Sequence, residues 1–135
     1  MSANPPLVKQ LRLVVEATDF EDAVAFYRDT MGLTEEFNIE SEGGAHVVAL
    51  QIDRATIELV NPAQRRLIDD LEVGRDVSRK FRVALEVTDA ATATQLAVDA
   101  GAELIAPPTE TPWRSLNSRL EAPAGLQITL FEELD

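Results

Sequence analysis

The chain has 135 residues, 45% of them apolar and 27% charged, with a formal net charge of -12 and no cysteine. That length and balance suit one domain with a sizeable core, and the missing cysteine excludes disulfides and thiol catalysis. So acidic a surface repels phosphate backbones, which argues against nucleic acid as a partner, and no run reaches the roughly 18 apolar residues of a membrane span.

The opening MSANPP has neither the basic n-region nor the apolar h-region of a secretory signal, so a cytoplasmic location is expected, with no membrane partner. LRLVVEATDF, residues 11–20, then reads as a strand. Strand side chains alternate between faces, so Arg12, Val14 and Glu16 share one side and Leu13, Val15 and Ala17 the other. Asp19 is placed to cap a following helix, with Glu21 and Asp22 in its first turn and Ala23, Phe26, Tyr27 and Thr30 at helical spacing; Gly32 stops it. Short strands are expected near 35–40, 45–52 and 55–61, with Asp53-Arg54 as a turn. A polar linker, 63–79, follows, which could form a short helix.

From residue 80 the pattern begins again. A constant offset carries Arg12 to Arg82, Glu16 to Glu86, Thr18 to Thr88, Asp19 to Asp89, Ala23 to Ala93 and Asp29 to Asp99. Asp89 caps the second helix, Ala93, Leu96, Ala97 and Ala100 line it, and Gly101 ends it. Strands follow near 103–106, 115–121 and 126–132, the last two joined by the turn Ala122-Pro123-Ala124-Gly125. The internal repeat implies an α+β fold of two βαβββ modules, about 8–62 and about 80–133, in a single domain spanning 1–135.

The run VVEATDFEDAVAFYRDTMGL, the segment ATIELVNP (55–62), the pair Pro112-Trp113 and the closing APAG (122–125) with LQITLFE together resemble the glyoxalase / bleomycin resistance protein / extradiol dioxygenase superfamily, the vicinal oxygen chelate fold. The resemblance covers nearly the whole chain and implies one curled sheet per module, forming a cup, and a homodimer. It specifies fold far more than function, because the fold hosts lyases, isomerases, dioxygenases and pure drug binders. Metal-using members place four ligands in the cup, and carried over these positions fall on Arg12, Glu58, Arg82 and Thr129. Arginine stays protonated and threonine is a poor neutral ligand, so only Glu58 suits a metal; no metal and no cofactor are expected. The one histidine, His46, falls by strand parity on the helix side or toward solvent, whereas Val47, Ala49, Gln51, Thr56 and Glu58 fall on the cup side.

The same parity puts Arg12, Glu16, Arg82, Glu86, Glu58, Gln127 and Thr129 on the cup face. Two readings stand. In one, Arg12 and Arg82 pair with Glu58, Glu16 or Glu86 in a buried ion cluster that takes the place of a metal. In the other, one arginine holds an anionic group of a ligand. Trp113 is either a staple over the core or an aromatic wall for a planar or cationic ligand. Tyr27, Phe37 and Phe131 are expected in the core, Phe131 also able to line the cup.

Function then divides two ways. A metal-free binding protein would take a small, drug-like or cationic molecule on Arg12, Glu16, Arg82, Glu86, Trp113, Gln127 and Thr129. A lyase, isomerase or dioxygenase-type enzyme would use Glu58 as metal ligand or general base, with the arginines stabilising an oxyanion. No nucleophilic triad, phosphate loop or dinucleotide fingerprint accompanies either.

Overall fold

A computed structural model of the chain describes residues 12, 13, 15, 17–55, 58 and 60–135. Two strands, β1 (Thr34–Glu40) and β2 (His46–Gln51), form an antiparallel hairpin with Ile39 opposite Val47 and a bulge between Glu35 and Phe37. Four more, β3 (Val83–Glu86), β4 (Glu103–Glu110), β5 (Ser115–Ala122) and β6 (Leu126–Glu133), form a sheet in the order β3-β6-β5-β4. In it β3 runs parallel to β6 and the other pairs are antiparallel. Helix α3 (Ala90–Asp99) follows β3, so the second module is the βαβββ unit the sequence implies.

The first module is described in part. Its helix α1 (Phe20–Val24) runs directly into a π-helical segment (Ala25–Thr30), where Met31 N–H bonds Phe26 C=O at 2.9 Å, five residues back. Gly32 ends it with φ of +79°, as expected of a residue without a Cβ. The expected strand over 11–20 and the expected strand over 55–61 lie partly outside the described residues, and their described residues form no strand, Phe20 already belonging to α1.

The expected capping symmetry breaks down. Asp89 accepts hydrogen bonds from Thr92 N–H at 3.1 Å and Thr92 Oγ1 at 2.9 Å, closing the start of α3. Asp19 occupies the same position before α1, but its side chain makes no capping bond. The Asp19 backbone at φ -90° and ψ 69° is not extended as at Asp89, so its carboxylate is not aimed back at the first turn.

The core lies on one face of the four-stranded sheet. Leu120 and Ala122 of β5 and Ile128 and Leu130 of β6 alternate inward and pack with Ala97 of α3, Ala102 and Phe26. Phe26 comes from the π-helical segment of the first module. Tyr27 beside it donates its hydroxyl to Pro123 C=O at 2.9 Å, and burial pushes its phenol pKa up. Full burial of each large core side chain contributes about 1.5–3 kcal/mol.

The linker is a helix, α2 (Pro62–Glu72), capped by Asn61, whose side chain accepts Gln64 N–H at 2.8 Å, with Pro62 at the first helical position. Its apolar residues are split, with Ile68 and Leu71 half-buried and Leu67 turned outward. Asp69 and Glu72 are buried, while Leu67 is 50% exposed. These acids turn toward the polar face of the sheet.

Candidate functional site

On that face the odd-numbered residues of β5 and β6 alternate with the core set, so Asn117, Arg119, Gln127, Thr129 and Phe131 point away from α3. Arg119 is fully buried, with 0% exposure. Its Nη1 donates to Asp69 Oδ1 at 3.0 Å, Gln127 Oε1 at 3.1 Å and Ser78 Oγ at 3.1 Å, and its Nη2 donates to Glu72 Oε1 at 2.7 Å. Asn117 Nδ2 donates to the other Glu72 oxygen at 2.7 Å. Asp69 also accepts the Val77 and Ser78 N–H groups at 3.0 and 2.9 Å and the Ser78 hydroxyl at 2.6 Å. Burial pushes the Asp69 carboxyl up, but these hydrogen bonds and Arg119 outweigh it and hold its pKa down at about 2.

An ion cluster therefore does fill this side of the sheet, with a different membership from the one expected. Arg119, Asp69 and Glu72 form it; among the described residues neither Arg12 nor Arg82 pairs with Glu58 or Glu86, and Glu16 lies outside them. Arg119 was legible in principle. The turn at 122–125 pairs it with Thr129, so the parity that placed Thr129 in the cup places Arg119 there too. Asp69 and Glu72 carried a weaker signal, a spacing of three on a helical segment.

Above the cluster lies a cavity of about 500 Å³. Thr129, Asn117, Ser115 and Glu72 form its buried floor. Arg82, Phe131 and Ile68 make its half-buried walls, and Glu58, Trp113, Arg114, Glu133 and Asp135 make its exposed mouth. Trp113 stands 49% exposed in the turn between β4 and β5, where Arg114 holds φ of 63°. Arg114 is paired with Glu110 at 2.8 Å and Asp135 at 3.2 Å.

Arg82 occupies the wall on its own terms. Its Nε donates to Thr129 Oγ1 at 2.8 Å, and among the described residues no carboxylate lies within ion-pair distance of it. Burial pushes its pKa down, and the positive charge of Arg119 adds to the effect; the fields of Glu72, Asp69 and Glu58 oppose both.

Of the expected site residues, the structure brings Arg82, Trp113, Thr129 and Glu58 to this one cavity. Gln127 is sealed below it, bonded to Arg119 and to Val77 C=O at 3.1 Å. Glu86 is exposed and borders a separate hollow of about 340 Å³ beside Met31 and Thr92. Arg12 does not reach the cavity: it pairs with Glu36 at 3.2 Å and lies over the Phe37 ring, 5.3 Å from its centroid. Glu16 and Thr56 lie outside the described residues. His46 faces the helix side, 4.7 Å from the Phe20 ring and bonded to Asn38 at 2.6 Å.

The family's metal-ligand positions do not suit a dication here. Arg12 is elsewhere, and Arg82 and Thr129 are bonded to each other, so the guanidinium sits where a metal would need electron pairs. Among the described residues no three histidine, aspartate or glutamate side chains gather as a metal set.

A βαβββ unit with its helix on one sheet face and a polar cavity on the other is the arrangement of a glyoxalase-like fold. The chain belongs to the glyoxalase-like domain family, whose model matches residues 12–131. It is similar in fold to a glyoxalase/bleomycin resistance protein/dioxygenase superfamily member from Sphaerobacter thermophilus, at 22% identity and TM-score 0.62, covering 95% of this chain and 100% of that one. A glyoxalase family protein from Bacillus cereus matches at 19% identity and TM-score 0.60, covering 100% and 99%. A hypothetical protein from S. aureus matches at 14% identity and TM-score 0.63, covering 94% and 95%. No curated protein matches the chain.

Proposed function

We propose that this protein binds a small, partly aromatic organic molecule in the cavity over the Arg119 cluster, and does so without a metal ion. The observation that carries the reading is the bond from Arg82 Nε to Thr129 Oγ1, which puts a fixed cation and a neutral hydroxyl at two of the family's four metal positions. Trp113 supplies an aromatic wall, and the acids at the mouth, Glu58 and Glu133, favour a ligand with a cationic or N–H-donating group. Sequestration of a drug-like molecule fits this reading. The protein acts as a homodimer in it, supported by the apolar pair Ile39 and Val47, 51% and 47% exposed on the β1–β2 hairpin.

The test is metal content by mass spectrometry, on protein purified without an affinity tag and again after soaking in zinc, nickel, manganese and iron(II). The expected result is no stoichiometric metal. About one ion per chain overturns the reading.

A second reading rests on one observation: Glu58 lines the same cavity as Arg82. An exposed carboxylate beside a half-buried guanidinium is an arrangement for general-base removal of a proton with the developing oxyanion held on the arginine. In this reading Glu58→Gln abolishes turnover of a substrate that still binds.

A further inference from the structure

We propose that the cavity takes an aromatic zwitterion, with its carboxylate on Arg82 and its ammonium group between Glu58 and Glu133 at the mouth. This rests on the reading above, that the cavity binds an aromatic molecule, and adds the class of that molecule.

The first observation is the state of Arg82. Its Nε is fixed on Thr129, and its two Nη groups have no hydrogen-bond partner among the described residues, although the residue lines the cavity. A guanidinium pinned at one corner presents its remaining N–H groups as a planar fork, which matches a carboxylate.

The second observation is the charge balance around it. Glu72 is committed to Arg119 and Asn117, and Asp69 to Arg119, Ser78 and Val77. Two carboxylates against one guanidinium leave the cluster with one net negative charge, which Arg82 balances at a distance. A carboxylate seated on Arg82 neutralises that cation and leaves the floor net negative. At the mouth Asp135 is tied to Arg114, whereas Glu58 and Glu133 take part in no ion pair among the described residues. A simple anion therefore meets uncompensated negative charge on two sides, and a dianion such as phosphate meets more. A cationic group on the same molecule, directed outward, removes that penalty.

The third observation is shape. Trp113 at the mouth and Phe131 and Ile68 in the wall offer apolar surface between the two charged ends, so the connecting body of the ligand is flat and apolar.

The experiment is a titration followed by the fluorescence of Trp113, the only tryptophan. The probes are 4-(aminomethyl)benzoate, benzoate, benzylamine and benzyl alcohol. The expected order places the zwitterion about tenfold or more tighter than benzylamine or benzoate, the worth of one charge-assisted contact. In Arg82→Gln the zwitterion loses its advantage over benzylamine, which still binds, and no more weakly than to the wild type because the floor is then net negative, and so reports an intact cavity. In Glu58→Gln/Glu133→Gln it falls toward that of benzoate. If benzylamine or benzyl alcohol binds as tightly as the zwitterion, or if Arg82→Gln leaves the zwitterion's affinity intact, the inference is overturned while the aromatic-site reading stands. If no probe perturbs Trp113 or binds by calorimetry, both are overturned.

Discussion

Arg119 is the residue on which this face of the molecule depends. It carries a full charge at 0% exposure, and its stability there comes from two carboxylates on a helix about fifty residues away in the chain. Arg119→Met strands Asp69 and Glu72 as buried, unneutralised acids. The expected loss is about 3–5 kcal/mol of unfolding free energy, read by urea denaturation. A loss under about 1 kcal/mol would show that the cluster is solvated. The Asp69 carboxyl also makes stability depend on pH. Its folded pKa, about 2, lies below the unfolded value near 3.8, so its contribution is complete above pH 4 and is lost as pH falls toward 2. The size of the effect is about 2 kcal/mol. Urea midpoints measured from pH 5 to pH 2 are expected to fall through that window in the wild type and to be flatter in Asp69→Asn.

At the scale of elements, the two helices that the repeat makes look alike differ in how they begin. Asp89→Ala removes two hydrogen bonds from the start of α3 and is expected to cost about 1 kcal/mol. Asp19→Ala removes none from the side chain, and is expected to change the thermal midpoint by a small fraction of that. Equal losses in the two variants would show that Asp19 caps in solution as Asp89 does. Helix α2 was legible as a polar linker able to form a helix, and Asn61-Pro62 is a good start signal. Its orientation was not legible, because an amphipathic reading buries leucines. The helix instead exposes Leu67 and buries Asp69, since Arg119 on the facing strand is worth more to a carboxylate than the sheet's polar surface is to a leucine.

At the scale of the whole molecule, the homodimer proposed above would place the exposed apolar hairpin pair Ile39 and Val47 at the contact between copies. Gel filtration at micromolar concentration is expected to give a dimer, and Val47→Glu to shift it to monomer. A wild-type monomer at that concentration sinks this idea. The two modules also meet within one chain, through Phe26 in the second module's core and Tyr27 on Pro123. Module one thus contributes a wedge to a core built mainly from β5, β6 and α3.

The sequence by itself determined the βαβββ order of the second module, the stops at Gly32 and Gly101, and the membership of Arg82, Thr129 and Phe131 in one polar face. Those follow from local rules, namely the period of two along a strand, a tight turn at 122–125 that sets register, and glycine's access to positive φ. Glu58 was placed on that face both by strand parity and by family position, whereas Trp113 was singled out through the resemblance rather than by a local rule. Which charges meet was decided only in three dimensions. Arg12 and Arg82 are equivalent in the repeat, yet one lies on the surface with Glu36 and the other walls the cavity. Arg119 and its two acids are far apart in sequence, and a burial cost of several kcal/mol per ion makes them find each other once α2 docks. Periodicity assigns a side chain to a face; only the packing of a distant element onto that face settles which partner neutralises it.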